Sequence, residues 1–178
     1  MAGPVLTIVD VQERLFNAMD AERRDDMVAN VKILASAARR LQVPVLLTEQ
    51  YPKGLGRTLP EVKSLLADTA PIEKTAFSCA AAAEYLERLR QLGADHVVLA
   101  GLEAHVCVLL TAQDLLRQGL QVSIVADAVC SRRAASLDIG LAEARQAGAV
   151  VTSTETVVFR LLGGADSDAF RELSKLLR

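Results

Sequence analysis

Apolar residues come in short unbroken runs along the chain: Val5 to Val9, Val45 to Thr48, His96 to Ala100, Val122 to Ala126 and Val150 to Thr152. Runs of this length, rich in Val, Leu and Ile and continuous rather than alternating, predict strands buried on both faces. A further short strand is expected at Pro71 to Lys74. The amphipathic stretches Asp26 to Leu41, Ala80 to Leu92, His105 to Gln118 and Ala134 to Ala147 predict helices between them. Gly93, Gly119 and Gly148 each fall just past a helical segment and just before the next strand, where a left-handed cap residue is wanted. The spacing is that of repeated β-α units, hence an α/β fold with a mostly parallel sheet and helices on both faces.

Two segments stand apart from this rhythm. The tail from Thr154 to Arg178 reads as one or two helices interrupted by Gly163 and Gly164, with Leu161, Leu162, Phe170, Leu173, Leu176 and Leu177 free to pack on the sheet or on another subunit. The stretch Glu49 to Pro60, EQYPKGLGRTLP, carries two Pro and two Gly without periodicity and predicts a loop. Because it follows a strand, it is placed to wall or cover a site, although a plain surface turn fits its composition equally well.

Composition narrows the classes of function. The chain of 178 residues fits a single domain spanning residues 1–178, with no linker, repeat or low-complexity segment. It is 51% hydrophobic but only 3% aromatic, which suits close helix packing and disfavours stacking on nucleic-acid bases. With 20 basic and 22 acidic residues interspersed, no field of one sign exists to draw nucleic acid or an anionic membrane. No apolar run reaches the roughly 18 residues of a membrane span, and the N-terminus lacks a signal-peptide pattern. A cytoplasmic protein acting on a small molecule is expected. Cys79, Cys107 and Cys130 cannot all pair within one chain and are expected to be reduced thiols.

Three residues with chemistry end strand-like segments. Asp10 closes PVLTIVD and is either an acid or base delivered to the carboxyl edge of the sheet, or a loop carboxylate or helix cap. Lys74 precedes TAFSC and is either a surface lysine or a cation beside a thiolate, lowering the thiol pKa from its free value of about 8.5. Cys107 lies in VVLAGLEAHVCVLLTAQDLL, where a strand passes through Gly101 into a turn and a helix. It is either a core cysteine among Val106, Val108 and Leu109 or a nucleophile facing the positive end of that helix. The combination is the informative point, since three strand ends would bring a base, a cation and a nucleophile to one edge.

The segments IVDVQ, EKTAFS, AGLEAHVCVLLTAQDLL and VSIVADAV, in this order, resemble the isochorismatase-like cysteine hydrolases over almost the whole chain. TEQYPKGLG and DAVCSR look closest to the isochorismatase domain-containing subgroup. The resemblance implies a three-layer Rossmann-like fold with a six-stranded, mostly parallel sheet, and an Asp–Lys–Cys triad of Asp10, Lys74 and Cys107. It also implies a cis peptide between Leu102 and Glu103, at a cost of about 3 kcal/mol, and an oxyanion hole from the backbone N–H groups of Glu103 and Cys107. The implied chemistry is attack of the Cys107 thiolate on a small amide-like carbonyl, a thioester-type intermediate, and hydrolysis assisted by Asp10. A homo-oligomer, dimer or higher, is implied as well.

Several positions qualify this expectation. Glu103 stands where many relatives carry Thr or Ser, so its carboxylate faces either the pocket or a partner chain. The only histidines, His96 and His105, belong to no Asp and His cluster, so no metal and no cofactor are expected. Gln12, Phe16, Gln50, Tyr51 and Phe77 are candidate pocket residues. Arg132 and Arg133 are read as solvated or interface charges, with a substrate carboxylate as the other reading, and Asp127 as structural. Two further classes stay open: a binding or scaffold protein with an idle triad, and a redox-sensing protein in which Cys107 is oxidised reversibly, with Cys79 or Cys130 as resolving thiol if folding brings either near.

Overall fold

The computed structural model describes residues 3–177; Met1, Ala2 and the last residue of the tail, Arg178, lie outside the described residues. Strands β1 (Gly3–Val9), β2 (Val45–Gln50), β3 (Ile72–Lys74), β4 (Ala94–Leu102), β5 (Gln121–Cys130) and β6 (Val150–Thr152) form one sheet in the order β3-β2-β1-β4-β5-β6. Every neighbouring pair is parallel. The chain winds outward from β1 through β2 to β3, then returns to the other side of β1 for β4 to β6. The order therefore reverses between β1 and β4, and in such sheets the strand ends part there to leave a crevice.

The helices are α1 (Glu13–Ala18), α2 (Arg24–Arg40), α3 (Pro52–Leu55), α4 (Pro60–Lys63), α5 (Ala83–Gln91), α6 (Leu109–Arg117), α7 (Ala134–Gln146), α8 (Thr154–Leu162) and α9 (Asp168–Leu173). Successive strand residues point to opposite faces. Val5, Val9, Val97 and Leu99 pack with Tyr85 and Leu89 of α5, Leu115 of α6 and Leu137 of α7. Leu6, Ile8, Val98 and Ala100 pack with Met27, Val31 and Leu34 of α2 and Val157 of α8. Each such aliphatic side chain contributes about 1.5–3 kcal/mol on burial. Alanines on the inner helix faces, Ala35, Ala38, Ala112 and Ala144, are fully buried and let the helices approach the sheet without aromatic filler.

The tail divides as its glycines foretell: Gly163 takes a left-handed φ of 69° and stops α8. Leu173 of α9 then packs with Ala37 of α2 and Val158 of α8, so this helix covers the chain's own surface. β5 runs four residues beyond its predicted end because its register with β4 shifts after the Leu99–Ile124 pair and resumes at Gly101–Val129. Asp127, in the irregular part, accepts hydrogen bonds from the backbone N–H and the hydroxyl of Thr154 at 2.8 and 2.9 Å and secures the start of α8.

The stretch from Glu49 to Pro60 differs from the expected loop. Glu49 and Gln50 complete β2, Pro52–Leu55 forms α3, and Thr58 bridges to Gln12. The physical reason is a buried carboxylate that sequence periodicity does not register. Glu49 accepts from the Thr58 N–H and hydroxyl, both at 2.8 Å, and from Arg57 at 2.8 Å. Burial alone would raise its pKa; these donors outweigh burial and hold it below the ordinary value.

Candidate active site

Asp10 is the first residue past β1, and its left-handed φ of 51° turns the chain at the sheet's carboxyl edge. Its side chain is completely buried. Oδ2 accepts from Lys74 Nζ at 2.7 Å, and Oδ1 accepts from the Thr48 hydroxyl at 2.7 Å. Lys74, the last residue of β3, also donates to Gln50 Oε1 at 2.7 Å and to the carbonyls of Phe77 and Ala76 at 3.0 and 3.3 Å. The strands bring Asp10 and Lys74 together across β2 because β1, β2 and β3 run parallel in register, with Val9 beside Thr48 and Gln50 beside Lys74.

The turn that carries Cys107 follows β4. Gly101, at φ 123°, lies so close to β1 that a Cβ would sit 2.1 Å from the Val9 carbonyl oxygen, and no other residue fits. Glu103 then takes φ 57°, and Ala104–Val108 forms a π-helical turn leading into α6. The cis peptide expected between Leu102 and Glu103 is absent, since all peptide bonds among the described residues are trans. The left-handed conformations of Gly101 and Glu103 and the wide π turn make the reversal instead. Gly140 of α7 packs against this turn; a Cβ there would come within 2.7 Å of His105 Cα.

Cys107 is buried in that turn. The expectation of a lowered pKa is corrected: burial first, then the negative charge of Asp10, push the thiol up, and Lys74 counteracts them without prevailing. At neutral pH the group is therefore a thiol. Burial opposes the charge of Lys74 as well, but Asp10 leads a set of negative neighbours that keeps its pKa above the ordinary lysine value.

Glu103 turns toward neither an open pocket nor bulk solvent. Its Oε1 pairs with Arg132 at 2.8 Å and its Oε2 lies 3.4 Å from His105 Nδ1, which is itself 2.9 Å from the Ser131 hydroxyl. His96 bonds Ser123 at 2.9 Å, away from the site. Among the described residues, no group of three or more His, Cys, Asp or Glu is arranged to hold a metal ion.

The candidate pocket residues separate. Tyr51 lines a cavity of about 540 Å³ with Lys53, Glu73, Lys74, Thr75 and Glu84, and of Asp10, Lys74 and Cys107 this cavity reaches Lys74. Gln50 holds Lys74 and donates to the Thr75 carbonyl at 2.8 Å. Phe77 is exposed, with its carbonyl turned to Lys74. Gln12 spends its amide on backbone: it donates to the carbonyls of Gln50 and Gly56 and accepts from the Gln50 N–H at 2.7 Å. Phe16 packs into the α2-side core beneath the Arg24 guanidinium, 4.9 Å from its ring. Of the five candidates only Tyr51 lines this cavity; Gln12, Phe16, Gln50 and Phe77 do not.

Two residues the pattern did not single out, Thr48 and Thr111, join the site together with Cys79, which the pattern names only as a possible resolving thiol. Thr48 bonds Asp10. Thr111 of α6 donates to the Cys107 carbonyl at 2.6 Å and accepts from the Cys79 N–H at 2.8 Å. Cys79 approaches Thr48 with its sulfur at 3.7 Å. All three are fully buried. Of the two threonines only Thr48 had a legible sign, a polar residue at the end of an apolar strand run.

Asp10, Lys74 and Cys107 lie together at the switch point of a parallel α/β sheet, where such folds leave a crevice. Residues 4–156 match the isochorismatase domain model, and the chain belongs to the isochorismatase family. It is 39% identical over 176 residues to isochorismatase domain-containing protein 2 of Danio rerio, covering 98% of this chain and 87% of that one. The structure described as MAR1 ribonuclease from Caenorhabditis elegans is 38% identical, with a TM-score of 0.91 over 99% of this chain and 90% of that one. The Escherichia coli ycaC gene product, described as an octameric hydrolase of unknown specificity, shares the fold with a TM-score of 0.91 at 23% identity, covering 98% and 86% of the two chains. The fold is thus the isochorismatase-type hydrolase fold.

Proposed function

We propose that the protein is a cysteine-dependent hydrolase of a small amide-like substrate, with Cys107 as nucleophile, Asp10 as general base and acid, and Lys74 as electrostatic partner. The observation that carries this reading is the buried Lys74–Asp10 pair at 2.7 Å beside a thiol that burial keeps protonated. In it, Asp10 takes the Cys107 proton as the sulfur attacks the carbonyl carbon, and the N–H groups of Glu103 and Cys107 receive the developing oxyanion. Collapse expels the amine with the proton held by Asp10. Asp10 then accepts a proton from water as its oxygen attacks the thioester, and returns that proton to the departing Cys107 sulfur, which leaves a carboxylic acid, the free thiol and ionised Asp10.

Ammonia release from a panel of small amides and carbamoyl compounds tests the reading. Hydrolysis is expected to vanish in Cys107→Ala and in Asp10→Asn; turnover surviving in Cys107→Ala overturns the assignment. Iodoacetamide labelling adds an independent arm. Lys74→Met slows alkylation of Cys107, because the cation that favours thiolate is lost. Asp10→Asn does not slow it, because a competing negative charge is lost. The description of the C. elegans protein as a ribonuclease supports a second reading, cleavage of RNA, which the same preparations test directly with an RNA substrate. The fold shared with an octameric protein supports self-association, which light scattering checks.

A further inference from the structure

Asp10 has to exist in two proton states during the proposed cycle, and its surroundings are built for only one of them at a time. Its Oδ2 faces Lys74 Nζ, a group that can donate but never accept. Its Oδ1 faces the Thr48 hydroxyl, whose single proton is given to the carboxylate. A proton arriving on Asp10 therefore has no acceptor until one of these neighbours changes. Thr48 can change. Its oxygen is also met by the Cys79 thiol at 3.7 Å, a donor while Asp10 is ionised and a weak acceptor otherwise.

From this geometry we infer that Thr48 and Cys79 form a reversible hydrogen-bond chain that positions Asp10 in both of its proton states. With Asp10 ionised, the chain runs from Cys79 S–H to the Thr48 oxygen and from the Thr48 hydroxyl to Oδ1. Once Asp10 has taken the Cys107 proton, the chain reverses: Oδ1–H donates to Thr48, whose hydroxyl turns to the Cys79 sulfur. No heavy-atom bond forms or breaks, and the only net transfer is the one proton from Cys107 to Asp10. Thr48 and Cys79 are positioning residues in this account, which rests on Asp10 acting as the base.

The surroundings favour the arrangement. Asp10, Thr48 and Cys79 are all completely buried, so water does not substitute for a missing link. Burial holds the Cys79 thiol up to about 11, which keeps its proton available to Thr48 at neutral pH. The titratable groups facing Asp10 are Lys74 from β3, Cys79 from the segment after β3 and Cys107 from the turn after β4. The Thr111 hydroxyl ties the Cys79 N–H to the Cys107 carbonyl, so the Cys79 end of the hydrogen-bond chain and the turn that carries Cys107 share one anchor.

The test uses p-nitrophenyl acetate with the full chain. A burst of nitrophenolate reports acylation of Cys107, and the following steady rate reports deacylation, in which Asp10 accepts the proton of water. A hydrogen bond to a charged group is stronger than one to its neutral form, so losing the hydroxyl penalises ionised Asp10 most. Thr48→Val is expected to lower the steady rate about tenfold and to move its acid limb about one pH unit upward. Thr48→Ser restores both to within about threefold of wild type; Cys79→Ala shifts the limb in the same direction by less, and Cys79→Ser restores it. Unfolding midpoints of each variant separate a chemical effect from a loss of fold. A Cys107-dependent burst with an unshifted acid limb in folded Thr48→Val and Cys79→Ala overturns the chain alone. Absence of a burst that depends on Cys107 overturns the underlying assignment and the chain with it.

Discussion

Replacing Lys74 by Met keeps the length of the side chain and removes its charge, and the structure fixes what that costs. Nζ donates to Asp10 and Gln50 at 2.7 Å each and to the carbonyls of Phe77 and Ala76 at 3.0 and 3.3 Å. Its side chain is 1% exposed and that of Asp10 0%, so solvent does not replace the lost partner. Removing one member of a buried pair strands the other charge, a penalty of about 3–5 kcal/mol. Against a total stability of about 5–15 kcal/mol, that is a large fraction of what holds the fold. Urea unfolding followed by circular dichroism measures it, with an unchanged m-value as the check that the unfolded states are comparable. The double variant Asp10→Asn, Lys74→Met removes the stranded charge, and its loss is expected to fall short of the sum of the two single losses by about 2 kcal/mol. A Lys74→Met cost below about 1 kcal/mol, or strict additivity in the double variant, would refute the reasoning, because the pair would then be solvated rather than buried.

Three further outcomes follow from the same packing. Burial holds the Cys79 thiol up to about 11, whereas an unfolded cysteine ionises near 8.5; the native state then binds more protons than the unfolded state, and stability falls as pH rises from about 9 to 11. For Cys79 alone the fall is about 3 kcal/mol, Cys107 and Lys74 are raised and act in the same direction, and Cys79→Ala is expected to flatten the alkaline slope of the unfolding midpoint. Gly140→Ala forces a Cβ to within 2.7 Å of His105 Cα and is expected to displace the turn that carries Cys107, changing its iodoacetamide labelling rate by at least about tenfold while the remaining helices keep their circular dichroism. Tyr85→Phe removes the buried hydroxyl that bonds Thr7 at 2.9 Å and is expected to cost about 1 kcal/mol in the same urea assay.

The architecture was legible in the pattern of residues because continuous Val-, Leu- and Ile-rich runs and glycine-terminated amphipathic stretches are local signals. Gly93, Gly119 and Gly148 adopt left-handed φ values of 62°, 83° and 107°, where helix stops were expected. Asp10, Lys74 and Cys107 were picked out by where each sits relative to a strand run, and parallel strands carry such residues to one edge. Gln12 and Phe16 were assigned to a pocket for the same positional reason and are not in the cavity beside Lys74. Position along a strand end does not say which way a side chain turns, and Gln12 turns to unsatisfied backbone while Phe16 turns to the core.

What the sequence determined by itself is the order of strands and helices, and with it the edge of the sheet at which chemistry can occur. Only the tertiary structure decided the proton state of that chemistry. An isolated Cys beside a Lys reads as a thiolate, but burial and Asp10 together outweigh Lys74 and leave a thiol. Desolvation depends on atoms brought in from every strand and helix around the site, and no local stretch of sequence records it. The same holds for the turn that carries Cys107, where two left-handed residues and a π-helical turn reverse the chain without the expected cis peptide. It holds also for Thr48 and Cys79, whose 31-residue separation in the chain closes to hydrogen-bonding distance only when β2 and the segment after β3 lie side by side.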